Sequence, residues 1–454
     1  MLWQYIKEQM MRHPGQKICE DGAFITYEEA VIYAESFAEE LTAPCCALLC
    51  HSEMATALAL LSCLAAGVTA VPMSYRYGDR PLRKMMDKIQ PPCIISDTYG
   101  KLQAVQTGLT GYVPPKEHPA LIMCTSGTTG SPKGVMLSER NLLCNLKDIA
   151  AYFKVSDADR ILIARPLQHC AVLNGEFLLA LIRGLNIRFD SGQLSPLHLL
   201  NLIGKEQITV FGGTPTLLGL LASFIRSPER TACVKSIVVS GECLTKAVAG
   251  RIRKAFPQAA VYHVYGLSEA SPRVAWLPPE LFDTRMDCIG RPLQSVQIKI
   301  DGVCNADGQR EGELLVRGDN VMLGYYNDPE LTRKVLRDGW LRTGDIVRED
   351  RQGGMRILCR KDDMMIRGGV NIYPAEIENA LKEDARTEDA LAYSYTDHHG
   401  RTQIGIKIKG AFADEQSVRQ LCCHVLPLYE CPSRIELVDR LPRNASGKLI
   451  RRPQ

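Results

Sequence analysis

The sequence lacks an excess of charge of either sign. Its 454 residues carry 54 Lys and Arg against 51 Asp and Glu, which gives a formal net charge of +3 without any long basic run. Proteins that bind nucleic acid usually concentrate basic residues on one face or in one tail. The balance therefore argues against a nucleic acid partner.

The sequence also lacks a long apolar run. The amino-terminal residues Met1-Leu-Trp-Gln-Tyr-Ile-Lys-Glu carry charge within their apolar pattern, which is untypical of a signal peptide. The most apolar stretch, residues 55–71, is short and is interrupted by Thr56, Ser62, Gly67 and Thr69. This stretch predicts a buried helix rather than a membrane span, so we expect a cytoplasmic protein.

The sequence lacks the cysteine spacings that are typical of metal-binding and redox sites, although cysteine itself is abundant. The 17 cysteines include the adjacent pairs Cys45/Cys46 and Cys422/Cys423 but no Cys-x-x-Cys. Zinc and redox sites typically use that spacing. We expect reduced thiols that mostly serve as small core residues.

The order of the apolar segments predicts an α/β fold. Thr26 and Glu29 have the spacing of a capping box, at the start of a helical pattern that runs to Leu41. Short β-rich runs such as Cys46–Cys50 then alternate with helical segments, which indicates parallel sheets. After about residue 290 the pattern favours antiparallel strands. The residues beyond 361 are numerous enough to form a small domain.

Residues 123–135 read Met-Cys-Thr-Ser-Gly-Thr-Thr-Gly-Ser-Pro-Lys-Gly-Val, a composition that suits a phosphate-binding loop. Glycines let backbone amides approach phosphate oxygens, hydroxyl groups donate further hydrogen bonds, and a lysine supplies a compact positive charge. The alternative is a flexible polar loop. The pattern differs from the common P-loop because Pro132 stands at its last glycine and Gly134 follows the lysine. The candidate phosphate ligands are Thr125, Ser126, Gly127, Thr128, Thr129, Gly130 and Lys133.

This loop resembles the phosphate loop of the adenylate-forming superfamily, which includes acyl- and aryl-CoA synthetases, peptide-synthetase adenylation domains and firefly luciferase. Six further motifs occur in the order and spacing of that family, and together they make chance an untenable account. They are Tyr265-Gly-Leu-Ser-Glu, Gly290-Arg-Pro, Gly339-Trp-Leu-Arg-Thr-Gly-Asp, Arg360-Lys-Asp-Asp-Met-Met-Ile-Arg-Gly-Gly, Tyr373-Pro-Ala-Glu-Ile-Glu and Leu441-Pro-Arg-Asn-Ala-Ser-Gly-Lys.

The resemblance implies an α/β architecture. Residues 1–361 would form an amino-terminal domain of two doubly wound sheets plus a barrel-like part, and residues 362–454 a small mobile α+β lid. Asp362 would be the hinge between them. It also implies a two-step ligase, which uses ATP and Mg²⁺ to turn a carboxylic acid into an acyl-adenylate and then passes the acyl group to a thiol. The alternative is a non-catalytic or regulatory relative that binds a nucleotide or an acyl group.

The resemblance also assigns roles to residues of the nucleotide site. In the Tyr265-Gly266-Leu-Ser268-Glu269 motif, the ring of Tyr265 would lie on adenine and Glu269 would help to hold Mg²⁺. Asp345 and Arg360 would bind the ribose. Lys448 would enter the site for adenylation, where a cation should stabilise the approach of one anion to another.

The acid pocket in this family is lined by the stretch after Pro166 and by three further walls. Amino-acid-activating relatives place an aspartate just after the position of His169, and Cys170 stands there instead, which argues against an amino acid and leaves a fatty or an aryl acid open. His169 is either a gate beside the pantetheine tunnel or a histidine packed in the core. The candidate pocket residues are His169, Cys170, Asn174, Gly213, Thr214, Ser240, Gly241 and Val264.

The identity of the thiol acceptor and the oligomeric state are left open by the sequence. The acceptor is CoA or the phosphopantetheine arm of a carrier protein. The protein itself is expected to be a monomer or a homodimer.

Overall fold

The computed structural model describes residues 1–98, 100–126, 132–190, 192, 195–304, 308–367, 370–398, 401–443 and 449–450. The helices, in chain order, are α1 (Leu2–Met10), α2 (Tyr27–Ala38), α3 (Glu53–Ala66), α4 (Asp79–Ile89), α5 (Glu139–Tyr152), α6 (Cys170–Val172), α7 (Leu179–Arg183), α8 (Pro196–Glu206), α9 (Pro215–Phe224), α10 (Lys246–Ala255), α11 (Pro329–Val335), α12 (Pro374–Lys382) and α13 (Glu415–Val425). A π-helical turn, Leu173–Leu178, joins α6 to α7.

Short 3₁₀ turns occupy Tyr75–Tyr77, Pro228–Thr231, Ser268–Ala270, Pro279–Leu281, Lys361–Asp363 and Leu428–Glu430. The strands, in chain order, are β1 (Lys17–Glu20), β2 (Ala23–Thr26), β3 (Cys45–Leu48), β4 (Thr69–Pro72), β5 (Cys93–Thr98), β6 (Lys101–Gln106), β7 (Leu121–Ser126), β8 (Pro132–Leu137), β9 (Arg160–Ile163), β10 (Asn186–Phe189), β11 (Val210–Gly213), β12 (Ser236–Val239), β13 (Ala260–Gly266), β14 (Arg273–Leu277), β15 (Arg291–Pro292), β16 (Gln297–Cys304), β17 (Arg310–Arg317), β18 (Gly324–Tyr325), β19 (Leu336–Arg337), β20 (Trp340–Glu349), β21 (Met355–Arg360), β22 (Met365–Arg367), β23 (Val370–Ile372), β24 (Thr387–Thr396), β25 (Thr402–Gly410) and β26 (Arg434–Leu437).

The chain separates into two compact units, residues 1–298 with 315–342 and residues 299–314 with 343–454. Two mixed sheets form the first unit. One has nine strands in the order β15-β14-β13-β12-β11-β9-β10-β1-β2, and the other has seven in the order β18-β8-β7-β4-β3-β5-β6. The pairs from β13 to β1 in the first sheet are parallel, and antiparallel strands lie at its edges. The parallel sheets predicted from the alternating segments are therefore confirmed.

The second unit contains smaller sheets. Strand β24 pairs antiparallel with β25, and β25 pairs parallel with β26. This sheet and helices α12 and α13 bury a shared apolar core that includes Ile377, Ile406 and Val418. The region after residue 290 pairs antiparallel where β20 contacts β19 and β21, as the sequence predicted.

Capping groups fix where several helices begin. Thr26 accepts from the Glu29 backbone amide while the Glu29 carboxylate accepts from Thr26, so the predicted capping box is confirmed. That helix ends at Ala38 rather than at the predicted Leu41.

The predicted helix over residues 55–71 is wrong beyond Ala66. Gly67 adopts φ +67°, a left-handed conformation that ends the helix, and the rest of the stretch forms strand β4. In the part of the chain that the structure describes, no helix has the length and apolarity that a membrane crossing requires.

All 17 cysteines are free thiols, and many lie in the core. Cys50 is 6% exposed and Cys422 is 1% exposed, whereas Cys243, Cys304 and Cys423 lie at the surface. Burial raises the pKa of both buried thiols to about 12. Many of the thiols are therefore core residues, as the sequence predicted.

Candidate active site

The predicted phosphate loop follows strand β7, whose antiparallel partner is β8. Thr125 on β7 lies opposite Lys133 on β8. The remaining candidates of this motif, namely the side chain of Ser126 and the residues Gly127, Thr128, Thr129 and Gly130, lie outside the described residues. The strands therefore position the two ends of the motif, and the roles of its central residues stay predictions.

The carboxylate of Glu269 is bound by a tyrosine whose ring lies near a lysine. The hydroxyl of Tyr325 on β18 donates to Glu269 Oε1 at 2.8 Å, and the backbone oxygen of Glu269 accepts from the Met322 amide at 2.9 Å. The ammonium of Lys133 lies 5.4 Å from the centre of the Tyr325 ring. Strand β18 pairs with β8 and so brings Tyr325 alongside the strand that carries Lys133. The structure thus collects one carboxylate and one ammonium around Tyr325.

The Tyr265-Gly266 pair lies at the end of β13, where the backbone is crowded. Tyr265 is 6% exposed, so a ligand could reach only part of its ring. A Cβ at Gly266 would lie 1.8 Å from the backbone oxygen of Pro272, so no larger residue fits there without a backbone shift. Ser268 begins the 3₁₀ turn that carries Glu269. The close approach of Gly266 to the Pro272 backbone therefore determines the path of the chain just before Glu269.

Asp345 and Arg360 occupy facing positions on adjacent strands of the second unit. Their Cα atoms are register partners in β20 and β21. Arg360 Nη1 donates to Asp345 Oδ1 at 3.0 Å and to the Thr343 carbonyl oxygen at 2.8 Å. Asp345 is 8% exposed, while about half of the Arg360 side chain reaches solvent. The sequence predicted both residues but did not predict this direct ion pair.

Two further predicted residues belong to the same part of the chain. Asp362 lies in the exposed 3₁₀ turn Lys361–Asp363, directly after Arg360. Lys448, the predicted catalytic lysine, lies outside the described residues. The hinge and adenylation roles of these two residues stay predictions.

The candidate acid-pocket residues lie at the carboxyl ends of neighbouring strands and on the helix that begins at Cys170. Gly213 ends β11 and Thr214 follows it, Ser240 and Gly241 follow β12, and Val264 is buried in β13. This edge of an open α/β sheet is where such folds usually bind ligands.

The helical segment next to these strands begins with several polar or titratable side chains. His169 is half-buried at the helix start, and burial raises the pKa of the Cys170 thiol to about 12. Asn174 is fully buried, and its amide donates to the Ser271 carbonyl oxygen at 2.7 Å. A neutral thiol at Cys170 provides no carboxylate for a substrate amine, in line with the argument against an amino acid.

Several polar residues of this region were missed in the sequence reading. Tyr325, which binds Glu269, lies 56 positions away from it, and no local pattern connects the two. Arg165 and Glu176 form a buried ion pair next to Ser240. Glu176 is the single charged residue in the mostly apolar stretch from Cys170 to Ile182, a sequence signal that could have identified it.

Two mixed α/β sheets in one unit, which also holds the strands flanking the predicted phosphate loop and the Glu269 turn, are typical of nucleotide-binding enzymes. The model of the family described as AMP-binding enzyme matches residues 103–326. The 2-succinylbenzoate–CoA ligase of Bacillus velezensis (strain DSM 23117 / BGSC 10A6 / LMG 26770 / FZB42) is 34% identical over 335 residues, which cover 73% of this chain and 67% of that protein.

Solved structures of CoA synthetases also match this chain. The o-succinylbenzoate CoA synthetase (MenE) of Bacillus subtilis, in complex with the acyl-adenylate intermediate OSB-AMP, superposes with a TM-score of 0.83 at 26% identity, covering 98% of this chain and 96% of that chain. The same synthetase in complex with ATP and magnesium ion gives a TM-score of 0.82 at 25% identity, with 98% of each chain covered. This chain belongs to the AMP-binding enzyme family, and the predicted family, fold class and enzyme class are confirmed.

Proposed function

We propose that this protein is an AMP-forming ligase that joins a carboxylic acid to CoA. In the first step the acid's carboxylate attacks the α-phosphorus of ATP, and the bond to pyrophosphate breaks to give an acyl-adenylate. In the second step the CoA thiol attacks the acyl carbonyl, loses its proton and displaces AMP, leaving a thioester. The observation that carries this proposal is the Glu269 carboxylate, which accepts from the Tyr325 hydroxyl while the Lys133 ammonium lies near the Tyr325 ring, within the fold of this family.

The donor set around Glu269 fits a magnesium ion that takes most of its ligands from the nucleotide. Mg²⁺ is usually bound through one or two carboxylates together with phosphate oxygens and water. Among the described residues, no group of three or more His, Cys, Asp and Glu side chains is placed to hold a metal. Glu269 would therefore be the carboxylate ligand, and Mg²⁺ would neutralise phosphate charge there. The ammonium of Lys133 would add a second positive charge for the phosphates.

The remaining nucleotide contacts follow from the chemistry of each side chain. Tyr265 would pack its accessible edge against adenine. The Asp345 carboxylate can accept from both ribose hydroxyls, and Arg360, which already donates to Asp345, would hold that carboxylate in place. Thr125, Ser126 and the glycines and threonines of residues 127–130 would donate to phosphate oxygens.

Lys448 would supply the cation for the first step. Its ammonium would lie between the acid's carboxylate and the α-phosphate and reduce the repulsion between the two anions. We propose that rotation about Asp362 then withdraws the lysine and admits the thiol. The region from residue 362 onward would be the moving part.

We propose CoA as the acceptor because the relatives compared above are CoA ligases or CoA synthetases. No feature of the sequence favours a carrier protein. The acid would be fatty or aryl. No carboxylate stands at Cys170 to bind an amine.

The test is the release of pyrophosphate from ATP and Mg²⁺ across a panel of fatty, aryl and amino acids, with Lys448→Ala as the paired variant. Acid-dependent release that disappears in the variant supports adenylation. Formation of the CoA thioester from the preferred acid, followed by mass spectrometry, supports the second step. Release that does not depend on any acid, or that is unchanged in the variant, contradicts the proposal.

A further inference from the structure

A buried ion pair lies where three neighbouring strands of the nine-stranded sheet end. Arg165 follows β9 by two residues, and its guanidinium binds the carboxylate of Glu176 in the π-helical turn. Both Nη atoms of Arg165 also lie 3.4 Å from Ser240 Oγ, just after β12. Between these two strands, a Cβ at Gly212 on β11 would lie 2.5 Å from Glu176 Oε1. The glycine therefore makes room for the carboxylate.

Part of this pair is left without hydrogen bonds. Arg165 is 8% exposed and Glu176 is 2% exposed. In the described part of the chain, Arg165 Nε and Glu176 Oε2 are buried and have no hydrogen-bond partner. Burying a charged donor or acceptor away from water without a hydrogen-bond partner is energetically costly. Buried polar groups without partners are more readily tolerated where a bound ligand can supply the missing hydrogen bonds.

The pair lies next to residues that the family resemblance placed in the acid pocket. Ser240, which Arg165 contacts, and Gly213, which follows Gly212, were both expected to line that pocket. The π-helical turn that carries Glu176 also carries Asn174, a third expected pocket residue whose Oδ1 is likewise buried without a partner. Irregular π-helical turns often occur at functional sites.

We infer that Arg165 and Glu176 select a carboxylic acid whose far end carries a hydroxyl group, in preference to the same acid with a plain hydrocarbon end. This inference rests on the proposed function and names the substrate class for its acid pocket. A hydroxyl group carries both the donor that Glu176 Oε2 lacks and the acceptor that the Nε–H of Arg165 lacks. A hydrocarbon end would exclude water and leave both atoms unpaired. An ammonium can satisfy only the acceptor, and a carboxylate only the donor.

The test uses binding, so that it does not depend on turnover. Acyl-sulfamoyladenosines, which are stable analogues of the acyl-adenylate, are prepared from benzoic, cinnamic and hexanoic acids. Each acid is used plain, with a hydroxyl at the far end and with a carboxylate at the far end. Calorimetry then gives nine dissociation constants for the unmodified protein. For the skeleton that binds best, we expect the hydroxylated analogue to bind about ten- to a hundredfold more tightly than the plain one.

The decisive variant replaces both charges with apolar side chains of similar size, Arg165→Met with Glu176→Leu. Buried ion pairs often tolerate such a replacement without loss of stability, which a thermal melt would check. In this double variant, the dissociation constants of the hydroxylated and plain analogues should lie within about twofold of each other. Glu176→Gln serves as a second variant in case the double change fails to fold. The matched control is Lys409→Met with Glu388→Gln, because that ion pair is exposed in the second unit.

Three outcomes would overturn the inference. They are a plain or carboxylated analogue that binds as tightly as the hydroxylated one, a preference that survives in the double variant, and no binding by any of the nine analogues. Pyrophosphate release, measured separately, reports on the proposed function. A protein that adenylates acids but shows no preference for the hydroxyl refutes the pocket inference alone. A protein that releases no pyrophosphate with any acid refutes the ligase.

Discussion

The hydroxyl of Tyr325 donates to Glu269 Oε1 at 2.8 Å, so a residue on strand β18 holds the carboxylate of the turn that follows β13. The same ring lies 5.4 Å from the Lys133 ammonium. One tyrosine therefore connects the proposed ligand of Mg²⁺ to the proposed ligand of phosphate.

Replacing Tyr325 with Phe should raise the Mg²⁺ concentration needed for half-maximal pyrophosphate release by about tenfold. A hydrogen bond to a charged group contributes about 1.5–3 kcal/mol, and its loss would leave the Glu269 carboxylate less well positioned. The neighbouring Tyr326→Phe is the control, because its hydroxyl accepts from the Val113 amide instead. Equal Mg²⁺ dependence in the two variants would contradict the positioning role of Tyr325.

Replacing Asp345 with Asn should raise the KM for ATP by about ten- to a hundredfold, because the charged acceptor of Arg360, which is also the acceptor proposed for the ribose hydroxyls, is lost. Steady-state pyrophosphate release at varied ATP measures the change. Asp384→Asn provides the comparison, because Asp384 forms an exposed pair with Arg386 in the same unit. If both variants show the KM of the unmodified protein, Asp345 does not contact the nucleotide.

Replacing Gly266 with Ala should destabilise the protein by at least about 2 kcal/mol, because the new Cβ would overlap the Pro272 carbonyl oxygen. The matched change, Gly250→Ala, should instead stabilise by about 0.5–1 kcal/mol, because Gly250 lies within helix α10 with open space around it. Denaturant unfolding measures both changes. A loss of stability in both variants, or in neither, would contradict the crowding at Gly266.

His263 should make the folded state less stable in mild acid. Burial lowers the pKa of His263 to about 4, and its neutral ring contacts the Cys288 carbonyl oxygen through Nδ1 at 2.8 Å. Because the ordinary pKa is about 6.5, the unfolded chain binds a proton that the folded chain does not bind between pH 6.5 and pH 4. Stability therefore falls as the pH is lowered through this window, by about 2 kcal/mol at pH 5 from this residue.

The variant His263→Gln separates this contribution from that of other groups. Its unfolding free energy should be lower at pH 7, where a buried contact is lost, and should decline less between pH 7 and pH 5. The quantity to compare is the pH dependence of the denaturant midpoint in the two proteins. Parallel curves would show that His263 is protonated equally in the folded and unfolded states.

Local signals predicted much of the fold. The Thr26–Glu29 capping box and the alternation of β-rich and helical segments act over a few residues, so the sequence displays them directly. The break at Gly67 was missed because residues 55–71 are mostly apolar on both sides of it, and apolarity is compatible with both the helix and the strand.

The candidate site was predictable where motifs carry it and unpredictable where it depends on distant pairs. Asp345, Arg360 and Glu269 each belong to a recognisable motif. The contacts of Glu269 with Tyr325 and of Arg165 with Ser240 join residues 56 and 75 positions apart. Such contacts follow from strand order, which no local periodicity encodes.

The buried thiols give each compact unit its own reporter of local opening. Cys170 is 2% exposed in the first unit and Cys422 is 1% exposed in the second, and burial raises the pKa of each thiol to about 12. At pH 8 both thiols are almost entirely protonated while the chain is closed, so an alkylating reagent would modify them only during excursions that admit water. Mass spectrometry of the modified peptides would then rank the opening free energies of the two units without any introduced label.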